Sequence, residues 1–311
     1  MRTASGIAVA ILVLLGACTA PTASRPATAD LPPRTAQETL TWDRQPRTYL
    51  VHLPDPLAPG SHPPLVVVLH GATLTARQTE RYYHWDALAD ARGFAVVYPQ
   101  GVNDAWNAGT CCSDAPSRGT DDVGFVGAVI ADATTRFAAD PSRRYLTGVS
   151  NGAMMALRFE CERPAELAAI GSVAGTFTSP CDHPPPVAFI AIHGLADRVV
   201  TYGPSSSTVE AGPDIRLPAA ETIGRFLAAD ACHDPVTASE GPVHTQTATC
   251  GPGLDVRVIT IDGAGHQWPG ATIDAARLAL DGPHDQPSRA IDATAELWSF
   301  FSAHVLRAVT P

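Results

Sequence analysis

A chain of 311 residues, 45% hydrophobic and 17% charged, suits one α/β domain with a full core, is short for two, and does not have a disordered composition. Its formal net charge of −10 argues against a nucleic-acid partner, because phosphate backbones select the opposite sign. The 28 Pro and 25 Gly call for many loops around a compact scaffold.

The N-terminus has the layout of an export signal. Arg2 supplies a short positive region, and the apolar run Ile7 to Leu15 is too short for a stable bilayer anchor. Leu15-Gly16-Ala17-Cys18 then resembles a bacterial lipobox, in which the Cys is lipidated and becomes the mature N-terminus. The alternative is an ordinary signal peptide cleaved nearby, with Cys18 incidental. Residues 1–17 are read as a lipoprotein signal peptide and 18–37, rich in Pro, Thr, Ala and Ser, as a flexible tether. The folded domain is expected over 38–311. A lipid anchor places it on the outer face of the cell membrane; without lipidation it is secreted.

Six further cysteines, Cys111, Cys112, Cys161, Cys181, Cys232 and Cys250, form an even set, which in an exported protein reads as disulfides. Their pairing is not fixed by sequence. Cys232 with Cys250 is favoured, since the two flank one loop-rich insertion, leaving Cys161 with Cys181 and a vicinal Cys111–Cys112 bridge. No C-x-x-C pair or His-rich spacing supports zinc.

In chain order, Thr39 to Leu53 alternates apolar and polar positions around a break at Gln45-Pro46, an antiparallel hairpin at a sheet edge. Leu65-Val66-Val67-Val68-Leu69 is apolar throughout, as a strand buried on both faces should be. His70-Gly71-Ala72-Thr73 follows it. Glu80 to Arg92 reads as a helix capped by Gly93, then Phe94 to Tyr98 as a second buried strand. A loop from Gly101 to Thr120 carries Trp106, Asn107 and the adjacent cysteines. Asp121-Asp122 opens a helix to about Ala138, with both carboxylates assigned to capping and the helix dipole. Strands follow at 168–174, 187–192 and 254–261, with helices at 217–229 and 289–306. This alternation predicts an α/β fold with a mostly parallel sheet whose functional loops gather at one set of strand ends.

The stretch that organises the rest is Gly148-Val149-Ser150-Asn151-Gly152, a G-x-S-x-G between a β-prone run and a run of helix formers. Strand, sharp turn and helix are what a nucleophile elbow requires. The Asn151 amide at the helix N-terminus is one candidate oxyanion donor, and Ala72, with Thr73 next, is the other. A Ser hydroxyl needs a base, and a His base needs a carboxylate to orient it. Asp197 and His266 each lie just past a predicted strand, His266 in the Gly-rich run Gly263-Ala264-Gly265. His193 and His70 are read as residues that hold loops; Asp262 and Asp182 compete less well with Asp197. Trp106 and Trp268 are candidates to line a substrate pocket or, equally, to pack the loops.

With these residues in place, the chain resembles the secreted polyhydroxybutyrate depolymerase and feruloyl esterase-like proteins of carbohydrate esterase family 1. The matching pieces are Leu69-His70-Gly71, Gly93-Phe94, Tyr98-Pro99-Gln100-Gly101, Asp121-Asp122-Val123-Gly124-Phe125, the Ser150 elbow, His193-Gly194 with Asp197, and Gly265-His266 with Trp268-Pro269-Gly270. The resemblance implies an α/β-hydrolase fold with helices on both faces. It implies ester hydrolysis through an acyl-enzyme by Ser150, Asp197 and His266, on a small or oligomeric ester, with no cofactor. Two features depart from the family: Arg198 follows the acid where Pro is frequent, and Tyr202–Pro213 is long and rich in Ser and Gly. No polymer-binding domain is expected, which favours soluble or surface esters. Two other readings stand beside hydrolysis, an acyltransferase of the same fold and a catalytically silent surface-binding lipoprotein.

Overall fold

The distribution of apolar residues along the strands sets the architecture. The computed structural model of the chain describes residues 34–55, 57, 60–204, 217–275 and 286–306. The expected signal peptide, Cys18, the tether up to residue 33 and most of Tyr202–Pro213 lie outside the described residues. Five strands buried throughout, save half-buried Arg144, run parallel, as strands covered on both faces do: β3 (Leu65–Leu69), β4 (Ala95–Pro99), β5 (Arg144–Val149), β6 (Ala169–Val173) and β7 (Ala188–Gly194). β10 (Asp255–Ile261) extends this parallel core beside β7. Antiparallel strands flank it, β1 (Thr35–Trp42) and β2 (Gln45–His52) on one side, β8 (His233–Glu240) and β9 (Val243–Thr249) on the other. The ten-stranded order is β1-β2-β4-β3-β5-β6-β7-β10-β9-β8.

Alternate strand residues face opposite cores. Val67, Leu69, Val97 and Leu146 pack with α4 (Asp122–Arg136), α5 (Asn151–Glu162) and α6 (Ala219–Ala229). Val66, Val68, Val96 and Tyr98 pack on the other face with α1 (Ala76–Tyr82), α2 (Trp85–Arg92) and α7 (Ala293–Phe301). One further helical turn, α3 (Ala115–Arg118), sits in the loop after β4. Helices therefore cover both faces, as expected for an α/β-hydrolase.

Several expectations need correction. β1 begins at Thr35, inside the segment expected as tether, because Thr35 pairs with His52 and its buried hydroxyl donates to Asp86. The first hairpin turns at Asp43 and Arg44, both at positive φ (47° and 62°), not at Gln45-Pro46, which belong to β2. The helix expected over 80–92 is two helices, broken at His84 in the left-handed region (φ 59°). The stretch between Cys232 and Cys250 is the β8–β9 hairpin instead of a loop; β8 is exposed throughout and so lacks the apolar alternation that marks a strand. Asp121 caps α4 through the Gly124 amide (2.8 Å), but Asp122 is buried and paired with Arg47 (2.8 Å), and it accepts the Asn107 amide (2.8 Å). The closing helix spans Ala293–Phe301, shorter than the run expected to Leu306.

Three disulfides, Cys111–Cys112, Cys161–Cys181 and Cys232–Cys250, close the pairing left open above. Such bonds persist in oxidising compartments, which accords with export.

Asp230, at the C-terminal end of α6, is buried, with one carboxylate oxygen accepting the Val187 amide (3.1 Å) and the other without a hydrogen-bond partner. Burial pushes its carboxyl up to about 7. The native state then holds a proton that the unfolded chain releases, so this group erodes stability as pH rises from about 4 through about 7. Asp230→Asn is expected to raise the melting temperature at pH 8 by several degrees and to change it little at pH 4. Thermal unfolding at the two pH values checks this.

Candidate active site

The site forms at the C-terminal ends of the parallel strands. β5 ends at Val149 and α5 starts at Asn151, so Ser150 alone makes the turn. Its φ of 53° and ψ of −122° lie where a residue with a Cβ is strained, and its amide is tied to the Val173 carbonyl (2.9 Å). Glycine is obligatory beside it. A Cβ on Gly148 would stand 2.6 Å from the Gly152 carbonyl carbon, and one on Gly152 would overlap the Leu69 and His70 carbonyl oxygens. The turn is this tight because the start of α5 packs directly on the end of β3.

Ser150, His266 and Asp197 lie in one hydrogen-bonded chain although 116 and 69 residues separate successive members. Ser150 Oγ is 2.8 Å from His266 Nε2, and His266 Nδ1 is 2.7 Å from Asp197 Oδ2. A carboxylate accepts only, so Nδ1 carries the proton and Nε2 faces the hydroxyl with its lone pair. The other carboxylate oxygen, Asp197 Oδ1, accepts the amides of Val199 and Val200, each at 2.8 Å. His193 Nε2–H donates to the Val200 carbonyl (2.8 Å) and stands 3.4 Å from Asp197 Oδ2. Burial alone would push the Asp197 carboxyl up. The His266 hydrogen bond, with the neighbouring imidazoles and the Val200 amide, outweighs it and holds the group below the usual carboxylate range. Burial keeps His193 neutral by lowering its affinity for a proton. Asp262 and Asp182 lie elsewhere, Asp262 against His244 and Asp182 against Arg225, each at the exposed surface.

The loop after β3 is fixed by His70. Burial lowers this imidazole to about 4, so it is neutral; Nε2 accepts the Gly101 amide (2.9 Å) and Nδ1–H donates to the Gly71 carbonyl (2.8 Å). The Leu74 amide reaches the same carbonyl (3.2 Å). In a trans peptide the N–H points opposite the C=O, so the Ala72 N–H is turned away from both donors. Thr73 N–H is spent on the Asp104 carbonyl (2.8 Å), whereas Ala72 lines a cleft together with Ser150. Asn151, first residue of α5, has no intrahelical acceptor for its N–H.

Trp106 and Trp268 are 0% and 1% exposed and do not face the cleft. Trp106 Nε1 donates to the His70 carbonyl (2.9 Å), and Trp268 Nε1 to Thr294 Oγ1 (3.1 Å) while its ring stacks on Tyr83 at 4.4 Å. Of the two roles the sequence left open, both take loop packing. What sequence reasoning missed is the set of walls, Leu74, Tyr83, Val149, Val199 and Ile273, and the clamp made by the Asn151 side chain. Its Oδ1 accepts the Trp106 amide (2.7 Å) and its Nδ2 donates to the Trp106 carbonyl (3.1 Å). No local signal marks these residues, which meet only through the fold. Among the described residues, no group of three or more His, Cys, Asp or Glu is placed to hold a metal ion.

A mostly parallel sheet with a Ser–His–Asp chain at its strand ends defines the class, an α/β-hydrolase. Residues 47–200 match the family model described as esterase PHB depolymerase. NocK of Nocardia uniformis subsp. tsuyamanensis, named as an esterase, is 32% identical over 94% of this chain and 96% of its own length. Feruloyl esterase C of Emericella nidulans is 29% identical over 83% of this chain and 84% of its own. Among solved structures, an acetyl xylan esterase from Aspergillus awamori superposes with a TM-score of 0.59 at 17% identity, covering 86% of this chain and 99% of that one. The chain belongs to the PHB depolymerase esterase family, a group of carboxylic ester hydrolases.

Asn151→Ala keeps the backbone N–H but orphans the buried Trp106 amide, whereas the Trp106 carbonyl keeps the Ala108 amide (2.9 Å). A loss of about 1–3 kcal/mol is expected, at the cost of an unsatisfied buried group. Urea unfolding of the variant measures it.

Proposed function

We propose that this protein hydrolyses carboxylic esters through an acyl-enzyme on Ser150. The observation that carries the proposal is the continuous hydrogen-bonded chain from Ser150 Oγ through His266 to Asp197, at the N-terminus of α5. In this mechanism Ser150 Oγ attacks the ester carbonyl carbon while its proton passes to His266 Nε2. The carbonyl oxygen becomes an oxyanion, held by the amides of Asn151 and Ala72. His266 then gives the proton to the departing alkoxide oxygen, the C–O bond breaks, and the acyl group stays on Ser150. A water repeats the steps, losing a proton to His266 and releasing the acid. Asp197 keeps Nδ1 protonated and stabilises the imidazolium without taking the proton itself. The low affinity of Asp197 for protons suits that part.

The same proposal extends to the N-terminus. Residues 1–17 act as an export signal and Cys18 as the lipidated first residue of the mature chain, supported by the lipobox-like run Leu15-Gly16-Ala17-Cys18 and the three disulfides. Labelled fatty acid is expected to enter the expressed protein and to be lost from Cys18→Ala; equal labelling of both contradicts it.

Ser150→Ala is expected to lower turnover of a p-nitrophenyl ester by about 10⁴-fold or more, with an unchanged melting curve. Full turnover by Ser150→Ala contradicts the assignment.

A further inference from the structure

The cleft over Ser150 is small, and its walls are tied to the relay. It measures about 180 Å³, below the roughly 300 Å³ at which pockets for drug-sized ligands begin. Its small size suits a short acyl chain better than a bulky aromatic acyl group such as feruloyl. Among the described residues that line it, none is Asp, Glu, Lys or Arg, and the walls are Leu74, Tyr83, Val149, Val199 and Ile273. Three of these walls are held in place. Tyr83 is stacked flat on Trp268, with the ring planes 5° apart. Val149 is 5% exposed at the end of β5. Val199 is 38% exposed, so its side chain stands at the rim, but its amide is bound to Asp197 Oδ1.

We propose that this cleft is the acyl subsite, that it takes a short uncharged acyl group, and that Val199 limits the chain length. The inference rests on the hydrolase reading above and deepens it. The acyl group stays bonded to Ser150 Oγ between the two half-reactions and needs enclosing walls, whereas the alcohol must escape toward solvent. Ala72, the proposed oxyanion donor, lines the same cleft, so the reacting carbonyl sits at its floor. An acyl chain too long for the cleft pushes against Val199. The Val199 backbone moves only by loosening its hydrogen bond to the acid. Length is therefore discriminated in kcat as well as in KM.

The test is a series of p-nitrophenyl esters from acetate to octanoate, with methyl ferulate, beside a series of acetates of lengthening alcohols. Wild type is expected to favour acyl chains of two to about four carbons and to lose roughly tenfold or more in kcat/KM by octanoate, since one methylene in an apolar site is worth about tenfold or more. The alcohol series is expected to show no such limit. Val199→Ala should raise the octanoate-to-acetate ratio about tenfold, and Val199→Phe should lower the butanoate-to-acetate ratio, each with a melting curve to confirm folding. Octanoate or ferulate turned over as fast as butanoate overturns the proposal. So does a limit that follows the alcohol, or ratios unmoved in both variants. Activity on short esters alongside any of these results leaves the hydrolase reading standing. Silence toward every ester overturns both.

Discussion

The carboxylate of Asp197 is where burial and charge are most tightly balanced. A charged group this far from water costs several kcal/mol unless donors replace the lost hydration. Two amides, from Val199 and Val200, and one imidazole N–H do so at 2.7–2.8 Å, with a second imidazole at 3.4 Å. The short turn after β7 exists to present those amides, and His193 closes it by holding the Val200 carbonyl. The carboxylate is thereby held where His266, from the loop after β10, donates its Nδ1–H to it (2.7 Å).

The opposite side of the site is built by the same logic with neutral groups. His70 is stripped of charge by burial and spends both ring nitrogens on backbone, which aims the peptide between Gly71 and Ala72. The Asn151 side chain spends both its polar ends on Trp106. Each loop of the site is thus pinned by a buried side chain from a neighbouring loop. In the proposed mechanism this rigidity matters because oxyanion donors stabilise a transition state only when already aimed at it. In the proposed acyl subsite it also stiffens one wall, since Val199 belongs at once to the cleft and to the grip on Asp197.

How legible all this was in the sequence depended on whether the cause was local. The parallel core announced itself through apolar runs such as Leu65–Leu69, and the Ser150 turn through two glycines that no other residue can replace. Loops following strands placed Asp197 and His266 near the right edge, because strand direction is shared across the core. The β8–β9 hairpin was missed because an exposed edge strand needs no apolar pattern. His84 interrupts a helix that its neighbours favour, and nothing in its own residue type says so. Asp122 looked like a helix-start carboxylate, which it is, but its buried pairing with Arg47 depends on a strand 75 residues earlier. The two tryptophans near the site were ambiguous for the same reason: burial is a property of the finished packing.

The most direct measurement is peptide mapping of the protein after treatment with a fluorophosphonate, which modifies a serine only when a base activates it. The account predicts one adduct, on Ser150, that disappears in His266→Ala and is slowed in Asp197→Asn. An adduct on another residue, or labelling of Ser150 at an undiminished rate without His266, would contradict it.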